Sequence, residues 1–157
     1  MDQRINILNI INSAVTNTVE MLQNADDKMY SIKPAENKWS KKEILGHLCD
    51  SAVNNLSRFI RAQFEPEPFV VVPYEQDEWV KRNKYNSMNI TEILNYWQVL
   101  NSQICHVIAN IPEDKLAVEC ELGNAAFRDN KVTKNLLWLI EDYAVHMEYH
   151  LKQITGR

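Results

Sequence analysis

The 157-residue sequence predicts an all-α fold, a four-helix bundle. Apolar residues recur at three- and four-residue steps in four separate segments, the period of a helix with one buried face. Glycine and proline are scarce, at three and five residues, which suits long helices better than a turn-rich β-sandwich. Two of the four segments open on sequences that can form a capping box.

The first helix is expected from about Asp2 to Gln23, where Ile7, Ile10, Ile11, Ala14, Val15, Thr18 and Leu22 make the stripe. A polar stretch from Asn24 to Lys38 follows, broken by Pro34. Ser40-Lys41-Lys42-Glu43 then starts the second helix. The Ser40 hydroxyl can accept from the Glu43 amide while the Glu43 carboxylate reaches back. Trp39 before the cap and Ile44 at the fourth helical position form a hydrophobic staple, and the helix runs through Phe59 and stops before Pro66. Glu65 to Ser87 reads as a long connection with Pro66, Pro68, Pro73 and a β-like run, Phe69 to Val72. The third helix opens at Asn89 with Glu92 three residues on, and Pro112 closes it. An irregular stretch from Glu113 to Val132, holding Gly123, has room for a short strand or hairpin. The fourth helix is expected from an N-cap near Thr133 to about Thr155, with Gly156 as its stop.

Length and composition fit one domain over residues 1–157, with 45% hydrophobic and 24% charged residues. The net charge of −4 offers no footprint for a phosphate backbone, so nucleic acid is not an expected partner. The Lys38/Lys41/Lys42 and Lys81/Arg82/Lys84 groups are short, have acidic neighbours and read as solvated faces. No stretch approaches the roughly 20 apolar residues of a membrane span, and the start of the chain carries no apolar leader. Cys49, Cys105 and Cys120 are odd in number and lack CxxC spacing, which favours a reducing cytoplasm over a disulfide framework.

Chemistry concentrates on histidine. His146 and His150 lie four residues apart, within roughly 40° of each other on the inward face of the fourth helix, and can grip one ion. The segment is not a metalloprotease H-E-x-x-H: Glu148 is about 200° around the helix from either histidine and cannot act as their general base. Taken singly, each histidine is more often a satisfied core residue than a ligand. His47, in an apolar patch with Ile44, Leu45 and Leu48, completes a set of three. Three protein ligands leave coordination positions open, the pattern of catalytic sites. His47 lies early in its helix and His150 late in the fourth, so the two meet only if those helices are antiparallel. That requires up-down-down-up order and a long crossover between helices two and three. The roughly 23-residue connection can extend about 75 Å, against about 38 Å for a 25-residue helix. His106 has no partner at metal spacing and reads as structural or surface. Asp50 and Gln153, each about one turn beyond a histidine, can orient an imidazole from outside the ligand set, although a residue placed like Asp50 is more often a solvated helix residue. Trp39, Tyr74 and Trp79 are candidates for a pocket mouth or for core filling.

These residues also carry a family resemblance. They are Trp39-Ser40, Glu43, Gly46-His47-Leu48 and Asp50; Tyr74-Glu75-Gln76-Asp77-Glu78-Trp79-Val80; Asn95-Tyr96-Trp97; Val132-Thr133; and His146 with Tyr149-His150-Leu151-Lys152-Gln153-Ile154. In this order and spacing the sequence resembles the DinB/YfiT-like superfamily over nearly the whole chain. The resemblance implies an up-down-down-up bundle and a divalent metal, nickel or zinc foremost, on His47, His146 and His150. It implies a metal-dependent transferase or hydrolase acting on a small-molecule substrate. Some relatives are thiol S-transferases using low-molecular-weight thiols such as bacillithiol, others hydrolases or isomerases. The competing reading is a non-catalytic metal- or ligand-binding bundle, with an apolar helix face left over to make a homodimer.

Overall fold

The computed structural model describes residues 3–123 and 132–156. Among them the four striped segments form long helices: α1 (Gln3–Leu22), α3 (Lys41–Arg61), α5 (Ile90–Asn110) and α6 (Leu136–Thr155). Two shorter helices, α2 (Asp27–Tyr30) and α4 (Gln76–Asn83), sit in the connections. Strands β1 (Phe69–Val71), β2 (Glu119–Leu122) and β3 (Val132–Asn135) make one sheet in that order, β1 parallel and β3 antiparallel to β2. α3 packs on α5 and α6, and α1 packs on the same two helices from the other side. The stripes meet in a core where Ile7, Ile11, Leu45, Phe59, Trp97, Ile104 and Ile140 are buried.

Both capping boxes form. Ser40 Oγ accepts from the Glu43 amide at 3.2 Å and Glu43 Oε2 accepts from the Ser40 amide at 2.8 Å. Asn89 and Glu92 exchange the equivalent bonds at the start of α5. Gly156, at φ 73°, ends α6 in the left-handed conformation that glycine adopts without strain.

The ends of the helices meet in a definite pattern. Arg4 Nη1 at the start of α1 donates to Ile111 O past the end of α5 at 2.7 Å, and Gln3 Nε2 donates to Glu141 early in α6. Lys42 Nζ at the start of α3 donates to Met88 O just before α5 at 2.7 Å.

Several expectations are corrected. The β-like run of the long connection forms β1, but the rest is not bare loop: it also holds α4 and a 3₁₀ turn over Tyr85–Ser87. The polar stretch after α1 holds α2, whose N-cap Asp26 accepts from the Lys28 and Met29 amides. Thr133 does not cap the last helix. It lies in β3 opposite Glu121, and pairing with β2 keeps residues 132–135 extended until Asn135 caps α6 by accepting from the Trp138 amide at 2.8 Å. Lys42 is not on a solvated face: it is 2% exposed, with its ammonium on Asp27 at 2.8 Å and on Met88 O. The expected irregular stretch keeps a 3₁₀ turn over Glu113–Ala117 and β2, while 124–131 and Asp2 lie outside the described residues. No helix among the described residues is long and apolar enough to cross a membrane.

Candidate metal centre

The capping box fixes the start of α3, and two turns later His47 is wholly buried. Its helical neighbours are locked from one side. The Tyr85 ring packs against Gly46, where any Cβ would collide with it. The Tyr85 hydroxyl donates to Asp50 Oδ1 at 2.6 Å, and Asn83 Nδ2 donates to the same oxygen at 2.9 Å. The other ligand-type residues come from the second half of α6, where His146 and His150 meet edge-to-face at 4.6 Å between ring centroids.

The three rings converge. His47 is 5.1 Å from His146 and 4.7 Å from His150, all edge-to-face. Nε2 of His47 and Nε2 of His146 are 3.2 Å apart, and one nitrogen from each of the three residues can be chosen so that all lie within 4.8 Å of one another. Two imidazoles on one zinc ion, at about 2.1 Å each, stand about 3.4 Å apart in tetrahedral geometry and at most about 4.2 Å apart. The closest pair already matches that spacing, and the outer limit asks only a small side-chain rotation.

Protonation favours the same role. Burial, with the charge of His146 and then His150, pushes His47 down to about 3. Burial beside His150 pushes His146 down to about 4. Burial also lowers His150, against the opposing effect of Gln153. The cluster is therefore neutral near pH 7 and offers lone pairs. His150 Nδ1 lies 2.9 Å from Gln153 Oε1; the amide oxygen can only accept, so Nδ1 carries the proton and Nε2 keeps its lone pair. His146 Nδ1 is 3.5 Å from Ser51 Oγ.

Gln153 thus sits where the sequence placed it, against His150. Asp50 does not hydrogen-bond a histidine. Its Oδ1 serves Tyr85 and Asn83, and its Oδ2 is buried without a partner, as is His47 Nδ1. Burial raises Asp50 to about 6, against the hydrogen bonds from Tyr85 and Asn83. Trp39 lies against His47 at 4.9 Å and Tyr149 against His150 at 5.0 Å. Tyr74 and Trp79 instead pair with each other at 5.4 Å on a separate shallow cavity. Ser51 is absent from the sequence expectations, since a serine on a helix carries no pattern; Tyr149 enters there only as part of the resemblance, and its contact with the His150 ring emerges from the structure. His106 is exposed on α5, away from the cluster. A cleft of about 750 Å³ opens beside the centre, with His150 and Gln153 in its wall.

Four long helices that bring three neutral imidazoles together define a helical bundle with a cluster that could hold a metal ion. The chain belongs to the DinB superfamily, whose profile matches residues 11–154. It is 29% identical over 119 residues to the "Putative metal-dependent hydrolase" of Oceanobacillus iheyensis, a match covering 75% of this chain and 64% of that protein. The chain therefore spans less than two thirds of that relative's length. In structure it is similar to YfiT from Bacillus subtilis, described as "a probable metal-dependent hydrolase with an unusual four-helix bundle topology". The TM-score is 0.84 at 17% identity, covering 99% of this chain and 86% of that one. It is also similar to a mycothiol-dependent maleylpyruvate isomerase, with a TM-score of 0.73 at 13% identity over 97% of this chain and 60% of that one. At these identities the two structural likenesses speak for the fold.

Proposed function

We propose that this chain is a metal-dependent enzyme in which His47, His146 and His150 hold one divalent ion, zinc or nickel. The convergence of three neutral imidazole nitrogens carries this reading. With a divalent ion bound, these residues would hold a Lewis acid able to lower the pKa of a water or thiol toward neutral pH. The chain's own residues set the stage. Gln153 Oε1 holds the Nδ1 proton of His150 and so aims Nε2 inward. Ser51 Oγ stands at Nδ1 of His146 for the same purpose. Trp39 and Tyr149 flank two of the rings and form the wall between the cluster and the cleft. Asp50 acts at one remove, by holding Tyr85 and Asn83 against the His47 turn. Hydrolysis is the reaction class supported by the name of the Oceanobacillus relative. Transfer of a low-molecular-weight thiol is the second, with support from the mycothiol-dependent structural neighbour.

The proposal includes the bundle order. Contacts that support up-down-down-up are Arg4 on Ile111 O, Lys42 on Met88 O and His47 beside His150, which match α1 start to α5 end, α3 start to α5 start and the first half of α3 to the second half of α6.

Metal analysis of protein purified without a histidine tag tests the centre. About one equivalent of divalent metal is expected, lost in His47→Ala and in His146→Ala. Metal content unchanged in both variants sinks the reading. Metal-loaded protein is then assayed on ester, amide and thiol-plus-electrophile panels; turnover that disappears with the metal separates an enzyme from a binding module.

A further inference from the structure

The cleft beside the centre has a chemistry of its own. Its walls are mainly apolar and aromatic, with Tyr30, Ile32, Trp39, Ile44 and Tyr149 among them, and His150 and Gln153 stand at its inner edge. Met29, Ile32 and Tyr149 line this one cleft yet are 64%, 66% and 59% exposed. Large apolar side chains left open along a concave surface mark a place where a ligand covers them.

The cleft is also preformed. The segment that supplies most of its wall is pinned at its base, where Asp27 accepts from the buried ammonium of Lys42 and from the Ile90 amide. Asn86 Nδ2 donates to Ser31 O at 3.1 Å and Ser31 Oγ donates to Asp27 O at 2.9 Å. Closing over a ligand requires no refolding of this wall.

Charge sets the second half of the specificity. Lys38 and Lys41 both line the cleft. Lys33, Lys42 and Lys81 each have a carboxylate within ion-pair distance, and among the described residues Lys38 and Lys41 have none. Lys41 Nζ lies instead 5.4 Å over the Tyr30 ring, on the cleft wall. Asp77 is the lining's one carboxylate among the described residues, so the lysines leave the cleft net positive before any metal charge is counted.

We infer that this cleft is the substrate site of the proposed enzyme and takes an organic anion. A flat apolar body lies among Trp39, Ile32 and Tyr149, and its carboxylate is met by Lys38 and Lys41. The inference rests on the metal-enzyme reading for the word substrate, but the binding it describes uses side chains outside the ligand set and does not need the ion.

The test titrates 1-naphthoate and its neutral counterpart 1-naphthylmethanol into zinc-loaded and metal-free protein, followed by amide and indole NMR shifts. In both forms naphthoate is expected to move the Trp39 indole and the Ile44 and Gln153 amides, binding about tenfold more tightly than the alcohol. The Lys38→Ala/Lys41→Ala double variant, altered only at two exposed positions, should bring naphthoate down to the alcohol's affinity and leave the alcohol unchanged. Equal affinity of acid and alcohol, shifts that map elsewhere, no binding by either probe, or undiminished naphthoate binding in the double variant overturns the inference. Naphthoate binding confined to zinc-loaded protein also overturns it, because the ion and not the lysines would then hold the carboxylate. Failure of the metal reading registers separately, in the metal content of the histidine variants.

Discussion

Gln153 Oε1 accepts the Nδ1 proton of His150 at 2.9 Å, which decides the nitrogen that His150 turns to the cluster. Groups that orient a ligating imidazole in this way typically account for 10- to 100-fold in metal affinity, on the order of 1–3 kcal/mol. Gln153→Ala should therefore weaken zinc binding by about tenfold or more in competition with a chelator, while leaving the fold intact because the side chain is exposed. Affinity equal to wild type would make the contact incidental. Asp50 makes a different prediction. Burial raises its pKa to about 6 from 3.8, so between these values the folded state keeps a proton that the unfolded chain has released. Stability contributed by the protonated acid is thus full below the lower value and lost as pH rises through the upper one. Asp50→Asn removes the charge but keeps an acceptor for Tyr85 and Asn83. Between pH 4 and pH 7.5, metal-free Asp50→Asn should gain on wild type by on the order of 1–2 kcal/mol, read from urea midpoints at the two pH values. A gap that does not change with pH would place the carboxylate in a less buried setting. Of these residues the sequence makes Gln153 legible, because a one-turn step from His150 is a helical neighbour. The Asp50 partners are not legible, since Asn83 and Tyr85 reach it only through the fold of a distant connection.

Elements that announce themselves chemically were readable, and those defined by their neighbours were not. Ser40 with Glu43 and Asn89 with Glu92 state their helix starts in local hydrogen bonds, and both starts fall where the sequence puts them. α2 is four residues long, too short to show a period, and α4 carries mostly exposed side chains with Val80 as its one buried residue. The last connection ends later than the sequence predicts because Thr133 suits a cap or a strand, and only pairing with Glu121 chooses the strand. Two elements meet closely at Gly46, where the 3₁₀ turn after α4 lays Tyr85 on α3. Alanine there gains about 1 kcal/mol of helix propensity, but its methyl collides with the tyrosine ring, and overpacking costs about 1–3 kcal/mol or more. Gly46→Ala is expected to be net destabilising in thermal melts, and the double variant Gly46→Ala/Tyr85→Ala to recover part of the loss caused by Gly46→Ala in the Tyr85→Ala background. A methyl that costs the same with and without the ring would show that the clash is relieved by movement of α3 and not by Tyr85.

At the scale of the whole molecule, the three histidines do more than gather ligands. His47 and His146 are separated by 99 positions, and between them lie the connection with α4, all of α5 and the sheet. They meet because α3 packs on α6, so the three-histidine cluster exists only when the bundle is assembled. An ion that binds the folded chain and not the unfolded one stabilises it by about 2.7 kcal/mol at a hundred times its dissociation constant. For a chain of this size each kcal/mol moves the melting temperature by about 2–4 °C, so saturating zinc should raise it by about 5–10 °C over chelator-treated protein. The rise should vanish in His47→Ala and in His146→Ala. It should persist in Lys38→Ala/Lys41→Ala, whose ammonium groups line the cleft but belong to no ligand set. Differential scanning calorimetry of the four proteins, each with zinc and with chelator, reads all of these outcomes together. A zinc-dependent rise of the same size in the histidine variants would show that the ion sits elsewhere on the surface.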